Sequence, residues 1–121
     1  PLWIGHFEFK GFDVTGYNIT MKSGPDHEDF NQQRRILSGH FHKRQTTGNV
    51  TYIGNTFPTS FADAGDSERG MMIYDHHTDE MNFLDWAECP KYIKTNLSKI
   101  LDGKVDLPVN ARVRCIADIP I

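Results

Sequence analysis

The chain has 121 residues, 38% of them hydrophobic and 24% charged, with a formal net charge of -3. This composition suits one folded domain with a packed core and excludes a disordered polyelectrolyte. It also excludes a polycation, so any phosphate contact must come from a local site or a bound metal rather than an overall basic field.

The longest apolar runs fall far short of the roughly 20 residues that span a bilayer, so no membrane partner is expected. No charged-then-apolar leader opens the chain. Cys89 and Cys115 form neither a metal-like pair nor a disulfide framework, and a cytoplasmic location is expected.

In chain order, Leu2 to Gly5 reads as a short buried strand entered directly from Pro1. Phe7 to Met21 mixes aromatics with Gly11 and Gly16 and reads as a loop with some extended structure. Asp26 is placed to cap a short helix through Asn31. Arg35 to Ser38 is a second short strand, running into Gly39-His40-Phe41-His42. Lys43 to Thr46 and Val50 to Ile53 flank Thr47-Gly48-Asn49 as a hairpin. Asn55 to Arg69 is a long loop holding Pro58 and Gly65, and Met71 to Tyr74 pairs with Met81 to Trp86 in a second hairpin. The spacing of Tyr92, Ile93, Leu97, Ile100 and Leu101 predicts a helix from Tyr92 to Leu101, ended by Asp102-Gly103. Ala111 to Ile116 alternates as a last strand, and the chain closes on Ile119-Pro120-Ile121. Both termini read as cuts in a longer protein.

The unusual feature is Gly-His at the end of an apolar strand, once at Gly5-His6 and again at Gly39-His40. Strand ends project side chains into clefts from a rigid base, and a glycine there permits a sharp turn and close ligand approach. His40 and His42 stand two apart, so an extended backbone points both the same way. Neutral imidazoles are good ligands for manganese, iron and zinc. His76-His77 at a hairpin turn and His27 in a polar helix start read instead as ordinary surface or core residues.

Gly39-His40-Phe41-His42 after Ile36-Leu37-Ser38 resembles the last metal-binding motif of the calcineurin-like metallophosphoesterases, and Ile4-Gly5-His6 resembles that superfamily's preceding strand-end histidine. Thr51-Tyr52-Ile53-Gly54-Asn55 and then Arg69-Gly70 are similar to its nuclease branch, the SbcD-type nucleases and the nuclease subunit of the tailed-phage recombination endonuclease. The resemblance runs from about Leu2 to Trp86.

It implies an α/β fold: the β-rich C-terminal half of a metallophosphoesterase β-sandwich flanked by helices, truncated at its N-terminus. Residues 1–88 would be the C-terminal part of the phosphoesterase domain, and residues 89–121 a linker and the start of a capping region. The cofactors implied are two divalent metal ions, manganese first and iron or zinc as alternatives, with His6 and His40 holding one ion and His42 the other. The metals would polarise the phosphate and generate a hydroxide nucleophile. The implied partners are DNA and an ATPase subunit of the SbcC type.

The family's bridging aspartate, Asp-x-His pair and Asn-His pair lie upstream of these motifs and have no counterpart before His6. Three imidazoles bring no negative charge to balance two divalent ions. The expected function is therefore a piece of a two-metal DNA nuclease of repair or recombination, inactive alone, with no catalytic residue of its own. The alternatives are a fragment of a phosphomonoesterase or nucleotide phosphodiesterase of the same superfamily, or a non-catalytic binding module.

Glu8 is either a group near the metal or an exposed strand-end acid. Lys43, Arg44 and Arg69 read as solvated surface cations first and phosphate contacts second. Phe57 and Phe61 read as core first and base-stacking platforms second. Exposed strand edges left by the truncation predict a homodimer, with Leu2 to Gly5 as the participating strand.

Overall fold

Apolar and β-branched residues in short runs, punctuated by glycines, give eight strands and very little helix among the described residues. The computed structural model describes residues 1–14 and 19–120. In order these are β1 (Leu2–His6), a 3-10 turn (His27–Phe30), β2 (Arg35–Gly39), β3 (Gln45–Thr47), β4 (Val50–Tyr52), a second 3-10 turn (Phe61–Asp63), β5 (Gly70–Asp75), β6 (Glu80–Asp85), β7 (Lys91–Asn96), α1 (Leu97–Leu101) and β8 (Ala111–Ile116). The reading of Phe7 to Met21 falls partly outside the described residues, Gly16 included, and Ile121 lies outside them too. No helix among the described residues is long and apolar enough to cross a membrane.

Four strands form one sheet in the order β1-β2-β4-β3. β1, β2 and β4 run parallel, with His6 opposite Gly39, and β3 returns antiparallel to β4 across Gly48-Asn49. The inner strands are dry: Ile36, Val50, Thr51 and Tyr52 have no exposed surface. Phe9, Phe12, Ile36, Phe41, Val50 and Tyr52 make the core cluster, extended by Trp3, Phe7 and Phe30. Each such side chain contributes about 1.5–3 kcal/mol by leaving water. Tyr52 adds a polar clamp, since its hydroxyl donates to the Phe7 carbonyl and accepts from the Phe9 amide, both at 3.0 Å. Burial pushes the phenol above its ordinary pKa, with lowering hydrogen bonds from Phe9 and Ser38 too weak to reverse it.

β5 and β6 form a hairpin whose turn carries His76 and His77, stacked at 3.9 Å. Arg35 grips Asp79 of that turn, and Arg44 grips Asp85 at its base while lying over Phe83. β7 and β8 form a separate parallel pair joined through α1. Phe61 meets Tyr92 edge-on at 5.0 Å and links this pair to the preceding loop.

Three expectations are corrected. Leu2 to Gly5 is a strand but not a buried one: β1 is a sheet edge, and Ile4 is 73% exposed. Tyr92 to Leu101 is not one helix. Tyr92, Ile93 and Thr95 favour extended backbone and pair in register with β8. Helix begins only after Asn96, whose side chain accepts from the Lys99 amide as an N-cap. The short helix after Asp26 is a 3-10 turn, capped as expected by the Asp26 carboxylate at the Glu28 amide. The molecule is strand-rich, and among the described residues its helices are too short to flank a sheet.

Candidate functional site

The parallel pairing of β1 and β2 places two strand C-termini side by side, and with them His6 and His40. Ser38, fully buried, accepts from the Phe7 amide at 2.9 Å, which fixes the chain just beyond His6. A Cβ at Gly39 would stand 3.2 Å from the His6 ring, so the absence of a side chain there gives the imidazole its place. His40 follows in a left-handed conformation, φ 99°. This region is sparsely used by residues other than glycine and costs on the order of 1–3 kcal/mol.

The result is a chain of contacts. His40 Nδ1 lies 3.2 Å from His6 Nε2, and His40 Nε2 lies 3.1 Å from a carboxylate oxygen of Glu8. An ionised carboxylate only accepts, so His40 carries its proton on Nε2. When His40 is neutral, its Nδ1 then accepts from His6. Glu8 is half-exposed, so this is a surface pair open to solvent screening.

His42 lines the same cleft as Glu8 and His40, but its ring turns to another partner. Its Nδ1 is 3.0 Å from Asp63, a carboxylate only 3% exposed. Asp63 also accepts from the Thr59 amide at 2.8 Å, the Thr59 hydroxyl at 3.1 Å and the Asn55 amide group at 3.2 Å. Burial raises the Asp63 carboxyl, but the Thr59 amide, His42 and Asn55 together hold it below its ordinary value. Arg69, 2% exposed, closes the arrangement by donating to the Asp63 carbonyl, the Asn55 side chain and the His42 carbonyl. The Asn55 amide reaches the same His42 carbonyl. Gly54, at φ 79°, makes room, since a Cβ there would meet the His42 carbonyl at 2.8 Å.

Of the residues singled out in the sequence, His40 thus touches both His6 and Glu8, and His42 shares the cleft of His40 and Glu8 while bonded to Asp63. His27 packs on Phe12, and His76-His77 lie at the far hairpin turn, away from this cleft. Phe61 packs on Tyr92, while Phe57 stays 44% exposed with an edge against Trp86.

The solvated-cation reading fails for Arg44 and Arg69, which are buried, and Lys43 is tied to Asp13 at 2.8 Å. Sequence reasoning missed Asp63, Asn55 and Thr59. Nothing local marks an acid 21 residues from its histidine.

The donor set suits a transition ion in part. Two ligands at about 2.1 Å from one metal, subtending 90–110°, are about 3.0–3.4 Å apart, and His6 Nε2 and His40 Nδ1 are 3.2 Å apart. Among the described residues no three His, Cys, Asp or Glu side chains are grouped to hold an ion. The pair therefore fits as two corners of a coordination shell that other groups must complete.

No family model matches the chain. It is similar to a protein named exonuclease subunit 1 of Enterobacteria phage T4, with 30% identity over 81 residues. That stretch takes in 67% of this chain, and the match covers 23% of the phage protein, so the chain spans under a quarter of the length of that curated relative.

Proposed function

We propose that the chain carries the strand-end histidine half of a two-metal DNA phosphodiesterase site of the metallophosphoesterase type, within a nuclease-related protein. The observation that carries this reading is the His6–His40 nitrogen pair, 3.2 Å apart on adjacent parallel strand ends. It supports the expectation that these two residues share one ion and that His42, on the same cleft, serves the second. Glu8 is the partner that would orient His40, as carboxylates commonly orient metal-bound imidazoles. The similarity to a phage exonuclease subunit favours DNA over a small phosphoester. When bound, divalent ions would polarise the phosphate and supply a hydroxide at neutral pH. The residues of this chain hold and orient those ions; the charge-balancing carboxylates belong to sequence preceding His6.

Residues 89–121 are assigned to the start of a capping region. Arg112 and Arg114, two apart on one face of β8, present exposed cations, Arg114 over Phe61 and Arg112 over Tyr92. Phosphate contacts are assigned to them in place of Lys43, Arg44 and Arg69. An ATPase subunit of the SbcC type remains the proposed partner. β1, whose outer side has no strand partner among the described residues and whose Ile4 is largely exposed, is the proposed seam of a homodimer of the chain.

The test uses the chain with manganese or zinc. Selective perturbation of the His6 and His40 resonances by substoichiometric ion is expected, abolished by His40→Ala, together with no cleavage of DNA above background. Ion-independent spectra at both histidines would remove the metal reading. Chelator-sensitive DNA cleavage by the chain alone would show that the carboxylates are not needed from elsewhere. Sedimentation at micromolar concentration tests the dimer, which Ile4→Lys is expected to dissociate; a wild-type monomer would reject it.

A further inference from the structure

We infer that Asp63 is the positioning residue of His42: it fixes the imidazole as the Nδ1–H tautomer and aims its Nε2 lone pair into the cleft shared with Glu8 and His40. The deduction begins with burial. A carboxylate that is 3% exposed must be paired, and Asp63 satisfies its oxygens from a backbone amide, a hydroxyl, a carboxamide and one imidazole nitrogen. Three of those donors come from Asn55 and Thr59, residues of its own loop, and would hold the carboxylate in place whether or not His42 were there. The fourth reaches across to the strand-end segment. Because Asp63 is anionic and only accepts, the proton must lie on His42 Nδ1. That leaves Nε2 as the only nitrogen of a neutral His42 with a free lone pair.

The backbone of His42 is held with equal care. Arg69 and the Asn55 amide both donate to its carbonyl, so the same loop that presents the carboxylate also grips the peptide unit. Side chain and main chain are therefore clamped by one buried network, while half of the His42 side chain remains exposed. A histidine needed only for packing would not stay half-exposed, and a surface histidine has no need of a buried carboxylate. The pairing matches the outer-shell carboxylates that orient metal-binding imidazoles and raise their basicity. Its metal consequence rests on the function proposed above; the tautomer does not.

The experiment is long-range proton–nitrogen NMR on metal-free, histidine-labelled chain near neutral pH. His42 is expected as the Nδ1–H tautomer, against the Nε2–H form that free imidazole side chains favour, and Asp63→Ala is expected to revert it. A wild-type His42 in the Nε2–H form overturns the inference, as does an Nδ1–H form that survives Asp63→Ala. Should that variant fail to fold, the wild-type spectrum still decides, with the milder Thr59→Ala, which removes one support of the carboxylate, giving a partial reversion. Zinc titration then reads the consequence: loss of Asp63 is expected to weaken binding at His42 about 10–100-fold. An Nδ1–H tautomer in a chain that binds no ion would sustain Asp63 as the positioning residue while rejecting the metal reading.

Discussion

Residues 1–88 hold seven of the 13 lysines and arginines among 13 of the 16 acids, whereas residues 89–121 hold six cations and only three acids. The two regions also use their cations differently. In the first, Lys10, Arg35, Lys43, Arg44 and Arg69 each face a carboxylate and fasten loops to one another or a hairpin to its surroundings. In the second, no carboxylate pairs with Arg112 or Arg114 among the described residues; Arg114 lies over Phe61 at 4.4 Å and Arg112 over Tyr92 at 5.7 Å. An aromatic face orients a guanidinium without using up its N–H donors, and Arg112 gives only one of them to the Tyr92 hydroxyl, at 3.2 Å. The five paired cations of the first region are thus spent on the fold, whereas Arg112 and Arg114 of the second remain able to meet an external anion.

The largest effect that could break this contrast is on stability. Arg69→Ala leaves Asp63 and Asp66 without their buried cation and is expected to cost about 3–5 kcal/mol. Arg114→Ala forfeits one cation–π contact at an exposed site, about 0.5–1 kcal/mol. Equal losses in urea unfolding would erase the distinction.

DNA binding gives the next effect. Under the proposed function, Arg112→Ala with Arg114→Ala should weaken binding and lower the slope of log affinity against log salt by about one per lost phosphate contact. Lys43→Ala should leave the slope unchanged. The reverse pattern would move the phosphate path back to the sheet.

The smallest effect concerns Asp79, whose carboxyl is lowered from 3.8 to about 2, first by Arg35 and then by Tyr74. A depressed carboxylate stabilises the fold above its unfolded pKa and loses that contribution as pH falls through its folded one. Asp79→Asn should therefore be less stable than wild type above pH 3.8, with the gap closing as pH falls towards about 2. Acid unfolding followed by circular dichroism measures it; a gap that persists at the acid end would mean the turn is held by something other than this ion pair.

Much of the fold was legible because its cues are local. Gly48-Asn49 marks one hairpin, period-two alternation marks β8, and Gly-His marks the ends of β1 and β2. Two failures have a common physical origin. Tyr92 to Leu101 satisfies a helical spacing, but spacing cannot reveal that β8 offers an in-register parallel partner. Leu2-Trp3-Ile4 looks buried because it is apolar, but only Trp3 packs on the core cluster while Ile4 faces out at the sheet edge.

The site divides along the same line. His6, His40, His42 and Glu8 announce themselves by their position at strand ends. Asp63 does not, since its role arises only when a loop from Asn55 to Arg69 folds back across His42. Arg69 shows the limit from the other side. Its charge suggested solvent, and only the buried Asp63 and the adjacent Asp66 explain why it is among the most deeply enclosed of the described side chains.

His40 closes the account of what such a cleft demands. Its backbone, at φ 99°, has a geometry that glycine adopts freely and histidine does not. The fold would be more comfortable with glycine at this position, and the cleft would then lose the ring that joins His6 to Glu8. Comfort and chemistry therefore pull in opposite directions at one residue. A copy of this chain freed from its task would be expected to relax here first, becoming sturdier as it became idle.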